Sequence, residues 1–386
     1  MRGATYGRLV TDDRAPRALG ASATTATSAT AMAAWAALGW DDGWASEFAP
    51  HAHDDVEPAR VAAVDRGAVD LLTADGSCRA TFGGALLADL AHDPLRGPCS
   101  GDWAVLRSWP DDRVTVEALL PRRTAFVRAS ASGESSAQVL AANVDLVLVA
   151  VSLAVEPNLG RVERMVAQAW ESGAQPVVVL TKSDLVSDAD LIASDVALSA
   201  PGVDVLIVSS VTGAGLDALL ALARPGRTLA LLGQSGVGKS TLVNALVGAD
   251  VVAVAPIGAR GKGRHTTVRR ELLAMPGGAL LLDTPGLRGV GVVDLEEGLQ
   301  RAFPEIEALA DQCRFGDCSH ATEPGCAVLA AAETGEISER RLESWRKLGR
   351  EALWMASRGD ARLRAEQRKK YIALSKSVRQ SGSIRP

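Results

Sequence analysis

The sequence predicts a multidomain chain: an N-terminal all-β barrel, a central α/β domain on a parallel sheet, and a C-terminal α-helical module that holds a metal. Three observations carry this. Short alternating apolar runs broken by turn residues fill residues 59–128. From Val139 to about Leu309, apolar strands alternate with helical stretches, the pattern of a parallel sheet covered on both faces. Three cysteines and one histidine then fall within 14 residues.

The bulk properties set limits. A chain of 386 residues makes two or three domains. With 47% hydrophobic and 23% charged residues it is an ordinary globular protein. The net charge of −5 is unevenly spread: Ile337 to Pro386 holds 14 Lys+Arg against 5 Asp+Glu, a net +9, which leaves −14 for the rest. Such a basic tail implies an anionic partner. No apolar run approaches the ~18 residues of a membrane span, so no membrane role is expected. Five cysteines, three of them clustered, do not resemble a secreted disulfide framework. The expected location is cytoplasmic.

Residues 1–35 are rich in Ala, Thr and Ser and read as a disordered or low-complexity extension, with Met32 a possible alternative start. A signal peptide does not fit, because charges precede a Thr/Ser-rich rather than a Leu-rich stretch. A short helix is expected over AAWAALGWDDGWASEF. The first domain spans 36–130. Its five runs, RVAAVDRG, AVDLLTADG, SCRATFGG, GDWAVLRSW and RVTVEALLPR, have the size and strand count of an OB-fold barrel. Such a barrel contacts RNA or serves as a protein adaptor, and the fold alone does not choose. Cys78 and Cys99 read as structural. Ser130 to Gln138 reads as a polar linker.

The central domain spans 139–300. Its organising stretch is TLALLGQSGVGKSTLVNAL, Thr228 to Leu246: apolar strand, glycine loop, helix. The loop is G-x-x-x-x-G-K-S, covering Gly233, Gln234, Ser235, Gly236, Val237, Gly238, Lys239 and Ser240, followed by Thr241. Its glycines let backbone N–H groups turn toward phosphates, Lys239 supplies a point charge, and Ser240 supplies an oxygen to Mg²⁺. The helix N-terminus adds partial positive charge.

TKSD, Thr181, Lys182, Ser183 and Asp184, ends the apolar run Val177 to Leu180. A carboxylate there accepts two hydrogen bonds from the guanine N1–H and 2-amino group, which adenine lacks, so ATP is rejected. The Lys182 stem would cover the base. Ser209 and Ser210 lie where a guanine-O6 loop would follow the next strand. DTPG, Asp283 to Gly286, ends another apolar run; Asp283 would hold Mg²⁺ through water and the Gly286 N–H would sense the γ-phosphate. GKGRHTTVRRELL reads as a switch loop. Thr267 is favoured over Thr266 as the Mg²⁺ ligand. Leu287 stands where a water-orienting Gln is found in Ras-like enzymes. His265 is the candidate replacement, against the alternative of a solvated loop histidine. Lys239, His265 and Thr267 form the expected catalytic set.

The order of motifs is itself informative. The guanine motif at 181 precedes the phosphate loop at 233, the switch at 266 and DTPG at 283. That is a circular permutation of the ordinary GTPase order. It places the switch and DTPG just before the C-terminal module at 301–386. There, Cys313-x4-Cys318-x-His320-x5-Cys326 has tetrahedral zinc-site chemistry. Leu342, Trp345, Leu348, Leu353 and Trp354 suggest amphipathic helices, and the basic run from Arg362 suggests RNA phosphate contact.

Barrel, permuted TKSD–GQSGVGKST–GRHTT–DTPG order and C-x4-C-x-H-x5-C cluster together resemble the bacterial ribosome small-subunit-dependent GTPase A family, over about residues 36–375. The resemblance implies GTP hydrolysis stimulated by the small ribosomal subunit, a part in that subunit's late maturation, and rRNA contact through the barrel and zinc module. It further implies one Zn²⁺ per monomer and Mg²⁺ with GTP. Thr181 in place of the commoner Asn, and Val268 in place of a third Thr, are departures. A permuted GTPase of the large subunit and a non-enzymatic RNA adaptor are the competing readings.

Overall fold

The computed structural model describes residues 25–128, 137–249, 270–283 and 295–359. His265, Thr266, Thr267 and Gly286 lie outside them, as does the basic run from Arg362.

The N-terminal stretch is helical from Thr25. Helix α1 covers Thr25–Ala37 and α2 covers Asp42–Phe48. Residues 25–35, expected as part of a low-complexity extension, are therefore ordered into α1. The reasons are the alanines, the best helix formers, and the tryptophans that anchor the end of α1. Trp40 packs edge-on to Trp103 at 4.7 Å, and Trp44 joins them, buried. Asp41 caps α2, accepting from Trp44 N at 2.9 Å.

The five expected barrel strands form. They are β1 (Val56–Asp65), β2 (Ala68–Thr73), β3 (Gly76–Phe82), β4 (Trp103–Ser108) and β5 (Val114–Leu119). They close in the order β1-β2-β3-β5-β4. Closure removes free strand edges. Ala59, Val61, Val69, Leu71, Leu106 and Val116 fill the interior, at the alternate positions that strand geometry dictates. Between β3 and β4 lies α3 (Gly84–His92), which the sequence pattern did not reveal; its Leu86 plugs the barrel core. Strand β6 (Ala125–Arg128) pairs antiparallel with β7 (Gln138–Ala142), so Gln138, the last residue of the stretch read as a linker, is strand; residues 130–136 of that stretch lie outside the described residues.

The central sheet has six strands among the described residues. These are β8 (Leu146–Ser152), β9 (Gln175–Thr181), β10 (Asp204–Ile207), β11 (Thr228–Leu232), β12 (Glu271–Ala274) and β13 (Leu280–Asp283). Their order is β10-β9-β8-β11-β13-β12. All neighbours run parallel except β12, which pairs antiparallel with β13. The expectation of a switch loop through Glu271–Leu273 is corrected: these residues are strand. Their apolar Leu272 and Leu273 are buried against the sheet, and that burial outweighs the loop character of the preceding glycines and charges.

Period-two alternation divides the core. Val147, Val149 and Val151 of β8 face one layer, while Leu146 and Leu148 face the other. The first layer is covered by α4 (Leu159–Glu171) and α5 (Ala189–Ser199), the second by α6 (Leu216–Leu222) and α7 (Lys239–Val247). Chain order reverses between β8 and β11, and in open α/β sheets ligands bind at such a switch point.

Four helices complete the described chain: α8 (Glu296–Ala302), α9 (Pro304–Ala310), α10 (Ala327–Thr334) and α11 (Glu339–Gly359). Leu342 and Leu348 of α11 are buried, but Leu353 and Trp354 are 62% and 54% exposed. The apolar positions expected along this helix are thus buried at Leu342 and Leu348 but largely exposed at Leu353 and Trp354. Arg341 fixes the first half of α11. It bonds buried Glu163 of α4 at 2.9 Å, the Ser199 carbonyl at 2.6 Å and the Ala302 carbonyl at 2.7 Å. Among the described residues no helix is long and apolar enough to cross a membrane.

Candidate functional site

Strand β11 ends at Leu232 and the glycine loop begins. A Cβ on Gly233 would stand 2.6 Å from the Ala150 carbonyl of β8, so only glycine lets the loop leave the sheet here. Gly238 has φ +99° and immediately precedes α7, a conformation that favours glycine. The Lys239 ammonium folds back over the loop, donating to the Gly233 carbonyl at 2.7 Å and the Gln234 carbonyl at 2.5 Å. Ser240 and Thr241 follow in the first turn of α7, both half-buried.

TKSD meets this loop directly. The buried Thr181 hydroxyl donates to the Val237 carbonyl at 2.5 Å, and Lys182 donates to the Gly236 carbonyl at 2.7 Å. Lys182 holds φ +61°, the left-handed region that costs a β-carbon residue free energy and is kept where surroundings impose it. Ser183 N donates to the Val208 carbonyl at 3.2 Å. Asp184 is exposed, and its carboxylate accepts from the Ser209 hydroxyl at 2.5 Å. Ser209 is buried, with its oxygen near the N–H groups of Val211 and Thr212 at 3.3 and 3.2 Å; half-buried Ser210 follows it. The structure thus gathers positions 181–184, 209–210 and 233–241 at one end of the sheet. Asp283 ends β13 beside β11: it follows Leu282, whose partner is Ala230. The switch residues and Gly286 lie outside the described residues.

One contact has no signal in the sequence. Arg161, in the first turn of α4, donates to the Gln234 side-chain oxygen at 2.8 Å. A charged residue at a helix start reads as solvated when its partner lies 73 positions away.

The second cluster joins α9 to α10. The ligand atoms of Cys313, Cys318, His320 and Cys326 all lie within 4.8 Å of one another. Cys313 and Cys326 sulfurs are 3.8 Å apart, and His320 Nδ1 is 3.5 and 3.4 Å from them. Three thiols and an imidazole converging in this way can hold a metal ion. Cys326 also caps α10, accepting from Leu329 N at 3.4 Å. The ring of His320 lies 5.4 Å from Trp345, and its carbonyl accepts from Arg346. Burial lowers the imidazole pKa, which favours the neutral, ligating form. Glu323 organises the loop: the Ser319 hydroxyl first, then neighbouring amides, hold its carboxyl well below the usual range.

Comparison with known proteins follows the same lines. The family model described as RsgA GTPase matches residues 119–293. The small ribosomal subunit biogenesis GTPase RsgA of Streptomyces avermitilis is 56% identical over 341 residues, covering 86% of this chain and 90% of the relative. Its counterpart from Streptomyces coelicolor is 55% identical over 344 residues, covering 88% and 92%. Among solved structures, YjeQ from Thermotoga maritima aligns with a TM-score of 0.59 at 26% identity, over 77% of this chain and 99% of that one. YloQ, a circularly permuted GTPase, aligns with a TM-score of 0.56 at 24% identity over 77% and 95%, a likeness of fold. Identity above one half across most of both chains, on this barrel and this permuted domain, places the chain in the RsgA GTPase family.

Proposed function

We propose that this protein binds GTP with Mg²⁺, hydrolyses it, and uses that cycle in biogenesis of the small ribosomal subunit. One observation supports the site most directly. Lys182, beside the guanine-type carboxylate Asp184, bonds to the phosphate-loop carbonyl of Gly236 at 2.7 Å across 54 residues of chain. A base over the Lys182 stem would therefore continue into phosphates over Gly236 to Lys239. Asp184 takes the guanine edge, with Ser209 orienting its carboxylate. Thr181, Ser183 and Ser210 shape the rim, and Gln234, Ser235, Val237 and Gly238 frame the phosphates.

Ser240 and Asp283 are assigned to Mg²⁺, with Thr267 completing the set, and Gly286 to the terminal phosphate. The metal, when bound, neutralises charge developing on the β and γ oxygens. Lys239 exchanges its loop carbonyls for phosphate oxygens. His265 is assigned to orient the attacking water.

Zinc is assigned to Cys313, Cys318, His320 and Cys326. With Zn–S near 2.3 Å and Zn–N near 2.0 Å, a tetrahedron puts sulfurs about 3.8 Å apart and sulfur from nitrogen about 3.5 Å. Among Cys313, His320 and Cys326 the separations are 3.8 and 3.4–3.5 Å, and the Cys318 sulfur lies within 4.8 Å of all three ligand atoms. The barrel and this module are assigned to rRNA contact, and the protein to a cytoplasmic monomer. The test is GTP turnover by purified protein with and without purified small subunits, beside ATP. Stimulated, GTP-selective turnover is expected; turnover indifferent to the subunits, or preferring ATP, would reject the reading.

A further inference from the structure

Helix α4 stands between the glycine loop and the C-terminal helix, and three residues of its first two turns make these connections. Arg161 donates to the Gln234 side-chain oxygen at 2.8 Å. Glu163, fully buried, accepts from both Arg340 and Arg341 of α11 at 2.9 Å. Arg164 pairs with Glu351, about three turns further along α11. The start of α4 is itself capped: the Asn158 side chain accepts from Arg161 N at 3.0 Å. Arg161 is thus displayed from a helix end fixed by its own cap and by buried Glu163, which holds buried Arg341 and exposed Arg340 of α11.

Gln234 is held at both of its carbonyl ends. Its main-chain oxygen accepts from Lys239 at 2.5 Å and its side-chain oxygen from Arg161 at 2.8 Å. These two bonds have different fates. Lys239 must leave the loop carbonyls when it turns to a phosphate, so the first turn of the loop loses that support as the ligand arrives. The Arg161 bond does not involve the lysine and persists. We propose that Arg161 is a positioning residue for the phosphate loop: through Gln234 it keeps the loop's first turn against α4 when Lys239 moves to the phosphates. A bond between exposed groups adds little to folding stability, so its effect falls on ligand binding.

This inference rests on the nucleotide-site reading above. The test uses full-length Arg161→Ala, Arg161→Lys, Gln234→Ala and the double Ala variant. Fluorescent GTP binding, steady-state turnover and thermal unfolding are measured. Arg161→Ala should weaken GTP binding about fivefold, the size of one exposed charge-assisted hydrogen bond. KM should rise while kcat stays within about twofold, and the unfolding midpoint should not move. Arg161→Lys should regain most of the loss, since an ammonium there still donates to Gln234. The double variant should be no worse than either single one, because the two groups act as one unit. Wild-type affinity in Arg161→Ala, losses that multiply in the double variant, or a loss matched by a lower midpoint would each overturn the inference. If the wild type itself fails to bind GTP, the site reading falls and this inference with it.

Discussion

Arg60 of barrel strand β1 donates to the Thr228 hydroxyl at 3.1 Å, at the first residue of the strand that leads to the phosphate loop. The same guanidinium serves the Asn143 carbonyl at 3.1 Å and the Leu38 carbonyl at 3.2 Å, and lies over the Trp103 ring at 5.1 Å. One buried cation therefore joins N-terminal helices, barrel and nucleotide domain. Burial depresses its pKa to about 10, which leaves it charged at neutral pH. Arg60→Met should cost about 3 kcal/mol of stability, because it strands buried carbonyls without a donor. Denaturant unfolding checks this; a loss under about 1 kcal/mol would show that water replaces the guanidinium there.

Asp184 and Ser209 share a 2.5 Å hydrogen bond. Asp184→Asn turns an acceptor of two guanine N–H groups into a mismatched amide, and GTP affinity should fall roughly 100-fold, as expected for two charge-assisted bonds. Ser209→Ala frees the carboxylate to rotate and should cost less, about threefold to tenfold. Nucleotide titration checks both; an Asp184→Asn protein that binds GTP normally would place the base elsewhere.

Gly233→Ala sets a methyl 2.6 Å from the Ala150 carbonyl. Backbone must move, and the loop moves with it. GTP binding should fall at least about tenfold with the fold retained, since a misplacement near 1 Å has effects of that order or larger. Binding and far-UV circular dichroism on one sample distinguish this from unfolding.

Cys326 is buried, caps α10, and is one of four clustered ligands. Cys326→Ser should reduce bound zinc from one equivalent to nearly none, and residues 313–326 should lose hydrogen-exchange protection before the GTPase sheet does. Full zinc content in this variant would remove Cys326 from the ligand set.

Asp41 caps α2 and pairs with Arg123 at 2.6 Å, and this pair first of all holds its carboxyl below the usual value. A depressed acid pKa contributes stability above the unfolded value and loses it as pH falls through the folded one. The Asp41 contribution is thus complete above about pH 4 and fades below it. Asp41→Asn should flatten that part of the stability profile. An unchanged slope between about pH 4 and 2 would show that the pair contributes nothing there.

Much of the site was legible because each motif is a local string with its own backbone requirement. The run Leu229 to Leu232 lies in β11, and Gly238 sits at the positive φ its loop needs. The four zinc-type ligands converge because Cys313 to Cys326 is one short loop. Helix α3 was not legible: GALLADLAH is short and polar-flanked, and only Leu86 in the barrel core reveals its role. Strand β12 was hidden for a related reason. Its four residues belong to a sheet edge by virtue of β13, and the Ser100 hydroxyl on the Arg270 carbonyl at 3.2 Å helps fix its approach.

By itself the sequence determined the barrel strands, the permuted order of the nucleotide motifs and the cluster of three cysteines and a histidine that could hold a metal, because backbone preference and side-chain alternation act over a few residues. Tertiary structure alone decided which charges are buried and with whom. Arg60 meets Thr228 across 168 positions, and Arg341 meets Glu163 across 178. A buried guanidinium is tolerated only where folded chain supplies its acceptors, and no local pattern specifies which distant strand will bring them.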